Sequence, residues 1–245
     1  MANGFDPRAT ASPHPAGTLG RESVAYDAGL RSHMLSVYNY MASAVLLTGI
    51  VAYGAAATGF AEQIFYGGGI LKYVVLFAPL IMVFVLAARL NRMSTGGLQA
   101  FYWSFAAVMG LSMSLIPLLY TGTSIAATFF ATSAAFVSLS LWGYTTKKDL
   151  SGFGTFLIMG LVGLIIAMVV NMFLRSDAMS LAISAIGVLL FAGLTAYDTQ
   201  KIKSIYFQVA GTDFIGKAAI LGALTLYLDF INMFQFLLSF MGSRD

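Results

Sequence analysis

The chain has 245 residues, of which 59% are hydrophobic and only 9% are charged, and its formal net charge is +3. Because a soluble domain carries about 25% charged residues, a chain this poor in charge cannot cover a water-facing surface, and most of it must face lipid. The absence of cysteine excludes disulfide frameworks, thiolate nucleophiles and cysteine-based metal sites.

The first 32 residues differ in kind from the rest of the chain. They begin "MANGFDPRATASPHPAGTLGRES" and are rich in Pro, Gly, Ala and Ser, with no apolar periodicity. That composition is typical of a mobile segment. No apolar run follows the first basic residue at the distance expected of a cleaved signal peptide. We therefore expect residues 1–32 to be a disordered cytoplasmic tail and residues 33–245 to be one membrane domain.

Seven apolar segments follow this tail, and each has the length of about 20 residues that crosses roughly 30 Å of hydrocarbon as a helix. Membrane strands would need only about 10 residues with strict alternation of apolar and polar side chains, and no such alternation is visible. The sequence therefore predicts an all-α integral membrane protein with seven transmembrane helices. The approximate limits of the segments are 34–57, 71–90, 100–120, 123–143, 153–174, 179–198 and 216–240.

The basic residues predict the orientation of these helices. If the N-terminus is cytoplasmic, ten of the 13 Lys and Arg residues lie inside, and only Lys72, Arg175 and Arg244 lie outside. Cytoplasmic segments carry the excess of Lys and Arg, so we expect the N-terminus inside and the C-terminus outside. The ten inside residues are Arg8, Arg21, Arg31, Arg89, Arg92, Lys147, Lys148, Lys201, Lys203 and Lys217.

Two of the ten acidic residues, Asp198 and Asp229, fall in or against an apolar segment, and the other eight lie in tails or loops. Asp229 follows Lys217 by about 12 residues, which places it roughly 18 Å along the seventh helix and near the bilayer midplane. An ionised carboxylate at that depth costs at least about 2.5 kcal/mol, so it must face protein or water and have a partner. Asn232 lies one turn further on the same face and is a candidate hydrogen-bond partner, although such a residue is more often a packing group.

The position of Asp198 leaves its role open. It ends the sixth apolar segment, and Lys201 and Lys203 follow within a turn and a half and mark the membrane interface. Periodicity fits a solvated surface pair and a buried proton site equally well.

Two long motifs resemble the closing signature of the Bax inhibitor-1 (TMBIM) family, in its bacterial YccA/YetJ-like branch. They are "GLTAYDTQKIKSIY" and "LGALTLYLDFINMFQFLL", which contain the two aspartates. The middle of the chain, including "RLNRMSTGGLQAFYWSFAAVMGLSMSLI", is similar to the same branch, so that the likeness runs from about Arg31 to Met241.

This resemblance implies a fold in which the seventh helix is enclosed by the other six. It also implies that Asp198 and Asp229 meet and share a proton near the cytoplasmic side. An arginine of the second helix would be their counter-charge, and Arg89 matches that position better than Arg92. In the family this arrangement is linked to a pH-sensitive calcium leak, so that transient calcium binding at the two aspartates is implied.

Elementary electrostatics agrees with a proton-sharing pair. Two carboxylates that are forced together cannot both ionise cheaply, so such a pair is expected to exchange a proton near neutral pH, as a gate requires. Tyr197, which precedes Asp198, and Asn232 are the candidate supporting polar groups. The helical rise, however, places Asp229 deeper than Asp198. They meet only if the sixth helix continues past Asp198 toward Tyr206, or if the seventh helix begins deeper than Lys217.

A remote alternative is an intramembrane aspartyl protease. Such an enzyme also uses two helix aspartates, one of them in a Tyr-Asp pair, which Tyr197 and Asp198 would match. It has a Gly-x-Gly sequence before its second aspartate, however, where this chain has Leu226, Tyr227 and Leu228. The Pro-Ala-Leu motif of these proteases is absent from the last segment as well.

Other membrane enzymes fit the sequence less well. A serine or zinc protease needs an intramembrane histidine, and the histidines here are His14 in the tail and His33 at the edge of the first helix. A retinal protein needs a lysine inside its seventh helix, where Lys217 lies only at the edge. We therefore expect no enzymatic activity and no cofactor.

The second function class is an interaction protein, a membrane-embedded regulator of a membrane protease or of a stress response. The polar tail would supply its exposed binding segment. The expected partners are thus calcium ions, protons and the lipid bilayer, with a membrane protease as a further candidate and no nucleic acid. The expected location is a bacterial cytoplasmic (inner) membrane. Since the sequence has no acidic cluster of the kind that binds calcium tightly, any divalent binding is expected to be weak.

The orientation can be tested with reporter fusions. A reporter fused after residue 245 should give an external signal, and one inserted in the connection 144–151 should give a cytoplasmic signal. A cytoplasmic signal from the C-terminal fusion would contradict the model of seven crossings with the N-terminus inside.

Overall fold

The structure, a computed structural model, describes the backbone of residues 16–243 and the side chains of residues 28–243. Short connections join the helices of this range. The helices are α1 (Ala16–Ala57), α2 (Phe60–Tyr66), α3 (Leu71–Arg89, followed by a 3-10 turn Leu90–Arg92), α4 (Thr95–Met113), α5 (Ile116–Leu119), α6 (Gly122–Thr145), α7 (Ser151–Leu174), α8 (Asp177–Val209) and α9 (Ile215–Met241).

Seven helical segments within the described residues are long and apolar enough to cross a membrane, which confirms the predicted all-α class and the number of crossings. They correspond to the seven predicted apolar segments in order. The fourth to seventh crossings are α6, α7, α8 and α9, and the third is α4 together with the short α5. The helix α2 lies between the first two crossings and is too short to span the bilayer.

The largest difference from the predicted boundaries lies at the start of α1. Its backbone is helical from Ala16, inside the stretch that the composition assigns to a tail, and its membrane-spanning part begins at Ala28. Residues 16–32 contain good helix formers, including Ala, Leu, Arg and Glu, which allow the membrane helix to continue toward its N-terminus. The predicted tail residues 1–15, with Arg8 and His14, and the C-terminal Arg244 and Asp245 lie outside the described residues.

Hydroxyl side chains begin several of the helices. Ser94, Thr121 and Ser176 each accept a hydrogen bond from the backbone N–H three residues further on, at 3.1, 3.2 and 3.3 Å. These caps satisfy one of the free N–H groups of each helix start, so that α4, α6 and α8 can begin directly after a short turn. Among the consecutive crossings, α3 packs against α4, α7 against α8, and α8 against α9.

The last crossing, α9, is the most buried of the seven. Its principal neighbours are α8, α1, α6 and α4, whereas α3 packs mainly against α4, and α7 packs mainly against α8. The structure therefore has a central seventh crossing, as expected, but four helices rather than six form its extensive contacts. The expected enclosure by all six helices is not confirmed.

The length of α8 decides how Asp198 and Asp229 can meet. The helix has 33 residues, or about 50 Å, and continues for 11 residues beyond Asp198 to Val209. Asp229 lies 14 residues after the start of α9 at Ile215. From this shared end the two aspartates are thus about 16 and 21 Å along their helices, which brings them to similar depths. Of the two arrangements that the sequence allows, the continued sixth crossing is the one found.

Glycines allow α8 to lie close to its neighbours near the aspartates. A Cβ atom at Gly143 of α6 would collide with the backbone carbonyl of Ala196, and one at Gly154 of α7 would collide with the ring of Tyr197. Small residues at such contacts let membrane helices approach closely enough for van der Waals packing.

We expect Gly143→Ala to destabilise the bundle by about 1–3 kcal/mol, because the added methyl group forces α6 away from the backbone of α8. The control is Gly163→Ala in α7, where a Cβ atom would meet no other atom within 4 Å. The control should be neutral or slightly stabilising, since alanine favours helix more than glycine does. Thermal unfolding in detergent measures both variants, and equal melting temperatures would contradict the close α6–α8 contact.

Candidate functional site

Asp198 of α8 and Asp229 of α9 face each other inside the bundle. Their carboxyl groups lie within hydrogen-bonding reach of each other, and the side chains are only 8% and 4% exposed. Carboxylate oxygens have lone pairs but no hydrogen, so a hydrogen bond between two carboxyl groups requires that one of them carries a proton. The oxygen Oδ2 of Asp229 is buried and receives no hydrogen bond from the N–H and O–H groups of the described residues. A proton held between the two carboxyl groups would satisfy it.

The pair lies on the wall of a cavity of about 910 Å³ between α7, α8 and α9. The sides contributed by α8 and α9 carry hydroxyl, amide and carboxyl groups, whereas α7 contributes mostly aliphatic side chains. The polar residues of this cavity wall are Asn171, Ser180, Ser184, Tyr197, Asp198, Lys201, Thr225, Asp229, Asn232, Gln235 and Ser239. The aspartates are thus buried within protein but adjoin a space that is large and polar enough to hold several water molecules.

The two supporting residues predicted from the sequence both lie beside the pair. Asn232 donates from Nδ2 to the carbonyl of Leu228 in its own helix at 2.8 Å, and its side chain lines the cavity. Tyr197 lines the same cavity, and its ring packs against Gly154. The Nζ atom of Lys201 lies 5.9 Å from the centre of the Tyr197 ring, within the range of a cation–π contact.

The structure does not bring Arg89 to the pair. Its side chain is exposed at the end of α3, and α3 packs mainly against α4. The cation that lines the same cavity as the pair is Lys201, about one turn further along α8 than Asp198. The sequence analysis treats Lys201 as a marker of the membrane interface and as a possible surface partner of Asp198, because the sixth apolar segment ends at Asp198. A counter-charge role for Arg89 stays a prediction that the geometry found here does not support.

A chain of hydroxyl groups behind Asp198 was missed by the sequence reasoning. Tyr38 of α1 is hydrogen-bonded to Ser140 of α6 at 2.7 Å, and Ser140 to Thr199 of α8 at 2.9 Å. Thr199 in turn donates to the carbonyl of Thr195 at 2.7 Å. The spacing of Thr195 and Thr199 on one face of a helix was a visible signal, since interhelical hydroxyl contacts of this kind are common in membrane bundles.

A similar contact connects the other side of α9 to the bundle. The hydroxyl of Tyr227 is 2.7 Å from that of Thr48 in α1, and Thr48 also donates to the carbonyl of Ala106 in α4 at 3.0 Å. The helix α9, which carries Asp229, is therefore linked by hydrogen bonds to α1, and through Thr48 to α4.

The described residues contain no group of three or more histidine or acidic side chains that could hold a metal ion. A cation in the cavity would have two carboxyl groups and neutral oxygens as ligands. Calcium takes six to eight oxygen ligands, so this set suits weak or passing contact with a hydrated ion more than a tight site.

The fold and the site together define a helical membrane protein with seven crossings, whose central helices share a buried pair of carboxyl groups beside a polar cavity. The sequence model of the family described as "Inhibitor of apoptosis-promoting Bax1" matches residues 30–245. The chain therefore belongs to the Bax inhibitor-1 family, as its closing motifs predicted.

Relatives cover nearly the whole chain. The chain is 46% identical over 228 residues to "Uncharacterized protein RP147" of Rickettsia prowazekii, which covers 93% of this chain and 96% of the relative. It is 46% identical over 235 residues to a protein of Caulobacter vibrioides, with 91% and 93% covered. It is 43% identical over 219 residues to "Inner membrane protein YbhL" of Escherichia coli K12, with 89% and 94% covered. These similarities identify the chain as a membrane protein.

Infrared spectroscopy can test for the shared proton. At neutral pH the protein should show the carbonyl stretch of a protonated carboxyl group, because the hydrogen-bonded pair requires one proton. The Asp198→Asn/Asp229→Asn double variant should lack this band. The control is Asp177→Asn, which removes an exposed acid in the first turn of the same α8 helix and should leave the band unchanged. A band that persists in the double variant would assign the proton to another group.

Proposed function

We propose that this protein is a pH-sensitive calcium-leak or calcium-transport protein, gated by the proton that Asp198 and Asp229 share. The observation that carries the proposal is the buried, hydrogen-bonded pair at the wall of a 910 Å³ cavity. An intramembrane acid is costly and normally serves transport or proton transfer. Two such acids in contact, with space for water beside them, are what a proton-controlled gate needs.

The gating step follows from the charge of the pair. While one proton is shared, the pair carries about one negative charge and its hydrogen bond holds α8 and α9 together. Loss of the proton leaves two facing carboxylates, whose repulsion acts directly on that helix contact. The same loss raises the negative charge at the cavity wall, which attracts a cation. Proton concentration would thus control both the separation of the helices and the affinity of the cavity for a cation.

Few other charged or titratable groups act on the pair. Lys201 is the nearest cation and is exposed, while Tyr197 on α8 lines the same cavity. Apart from Asp229, the polar residues that α9 contributes to the cavity are two amides and two hydroxyls, and α7 contributes one amide, Asn171, and apolar groups. A pH response of the flux would therefore originate mainly in the two aspartates.

We place the protein in a bacterial cytoplasmic membrane with its N-terminus inside. The excess of basic residues at one end of the bundle supports this orientation, and a relative named as an inner membrane protein supports the location. In this orientation Lys201, Lys203 and the last turns of α8 lie at the cytoplasmic surface.

A non-enzymatic role fits the surroundings of the pair better than proteolysis does. The segment before Asp229 consists of Leu226, Tyr227 and Leu228, and the first two of these are fully buried. A protease needs room for an extended peptide beside its second aspartate. Glycines before that aspartate would leave such room, whereas these larger side chains fill it.

Calcium flux into liposomes that contain the purified protein tests the proposal. Wild-type flux should change between about pH 6 and pH 8, since mutual repulsion and burial move the exchange of one proton toward neutral pH. Asp198→Asn and Asp229→Asn should each shift or flatten that pH profile. The double variant should add little to either single change, because both break one coupled unit.

The control for this experiment is Asp213→Asn, which removes an exposed acid from the turn between α8 and α9. It should retain the wild-type profile. Separate and additive effects of the two site variants would disprove the shared proton. Absence of calcium flux at every pH would disprove the leak and would favour the interaction protein, a regulator of a membrane protease or of a stress response.

A further inference from the structure

A long groove runs between α1 and α6, on the opposite side of the bundle from the space between α7 and α9. It consists of two cavities of about 600 and 530 Å³, which share the lining residues Val45, Phe129 and Phe230. The Tyr38–Ser140 hydrogen bond joins the two helices beside the groove. We call this feature the α1–α6 groove.

The floor of the α1–α6 groove is aromatic and its rims face the bilayer. Phe230 of α9 contacts Phe129 and Phe136 of α6 edge-to-face, with ring centres 5.8 and 5.6 Å apart. On the rims, Leu35 is 52% exposed and Val137 is 63% exposed. A hydrocarbon chain can therefore enter sideways from the membrane and lie on the aromatic floor.

One end of the groove is basic and the other is uncharged. Arg31 lines the groove at the end where α1 enters the membrane, is exposed, and forms no ion pair with the described residues. Tyr144 lines the same end, and its carbonyl accepts a hydrogen bond from Lys203 Nζ at 3.0 Å. The Nζ atom of Lys203 lies 5.2 Å from the centre of the Tyr144 ring. The second cavity, toward the other leaflet, has no Lys, Arg, Asp or Glu in its lining.

The groove is built into the fold by specific contacts. Its wall contains the hydroxyl groups of Tyr38 and Ser140, and Ser140 is anchored to Thr199 of α8. This chain of hydrogen bonds connects α1, α6 and α8 beside the groove. The space between α1 and α6 thus has a fixed position next to the two cations.

We propose that the α1–α6 groove binds one anionic phospholipid of the leaflet at the Arg31 end. The phosphate lies between Arg31 and Lys203, and one acyl chain extends over Met34, Met41 and Val137 toward Phe129. Charge complementarity supports this occupant, because two cations at one end of an apolar, lipid-facing groove fit a molecule with an anionic head and a hydrocarbon tail. This inference is independent of calcium flux and of the proton at the aspartate pair.

The basic end of the groove favours lipids with an anionic headgroup over lipids with a zwitterionic one. A zwitterionic headgroup carries its own cation, which Arg31 and Lys203 would repel, whereas an anionic headgroup leaves the phosphate free to interact with both. Attraction of a single basic side chain to an anionic membrane surface corresponds to a preference of about fivefold. We therefore expect the groove to prefer the anionic lipid by at least about fivefold.

Quenching of tryptophan fluorescence by brominated lipids tests this site. The two native tryptophans are first replaced by Trp103→Phe and Trp142→Phe, and Val137→Trp then serves as the reporter inside the groove. When the liposomes are titrated with either brominated lipid, phosphatidylglycerol should quench this reporter at a mole fraction at least about fivefold lower than phosphatidylcholine does. The Arg31→Gln/Lys203→Gln variant should lose the preference, and the charge-conserving Arg31→Lys/Lys203→Arg variant should keep it.

The matched control is Met159→Trp on α7, which is 70% exposed and outside the groove. Met159 and Val137 both lie eight residues from the end of their helices at the Arg31 side, and so at similar depths. The control should show no preference between the two lipids. An equal preference at both reporters would reduce the effect to general surface attraction and overturn the site, as would a preference that survives Arg31→Gln/Lys203→Gln in a protein that elutes as the wild type does.

Discussion

The close approach of the Asp198 and Asp229 carboxyl groups is the constraint on which the packing of the two central helices, α8 and α9, depends. A carboxyl group among apolar side chains is costly unless it is paired, and two charged carboxylates cannot be paired with each other. The bundle brings the two side chains together by placing α9 at its centre and extending α8 beyond Asp198, and a proton shared between them, as proposed, would meet this constraint. Under the proposed function, the same arrangement would make the pair respond to the proton concentration in the adjoining cavity.

The rest of the packing supports that arrangement from both sides. Gly143 lets α6 lie against the backbone of α8 just before Asp198, and the hydroxyl chain through Ser140 and Thr199 fixes the same region. The Tyr227–Thr48 hydrogen bond attaches α9 to α1 close to Asp229. A residue close to each aspartate, Thr199 or Tyr227, thus makes a hydrogen bond to a further helix. A change at the pair would act on α1 and α6 as well as on α8 and α9, and these two helices also form the proposed lipid groove.

The two large concave surfaces of the bundle differ in polarity and therefore suit different ligands. The cavity between α7, α8 and α9 has polar groups on two of its helices and suits water and a hydrated ion, whereas the α1–α6 groove is almost wholly apolar apart from its basic end. Lys201 and Lys203 lie only two residues apart on α8, yet one acts on Asp198 and the other contacts Tyr144 at the groove. Two residues turn a helix by about 200°, so that the same turn of α8 serves both sides.

The sequence by itself determined the class of the protein, because apolar runs of about 20 residues in a chain with so few charges allow only membrane helices. It also identified Asp198 and Asp229, since acids in such runs are rare and costly enough to be noticed. The roles of Asp198, Lys201 and Arg89 depended on the tertiary structure. A hydropathy pattern marks the membrane surface, but α8 continues beyond that surface to Val209. This continuation brings Asp198 to the depth of Asp229 and places Lys201 one turn further along the same helix. The hydroxyl chain and the α1–α6 groove were likewise decided by which helices become neighbours, a long-range property that local periodicity does not encode.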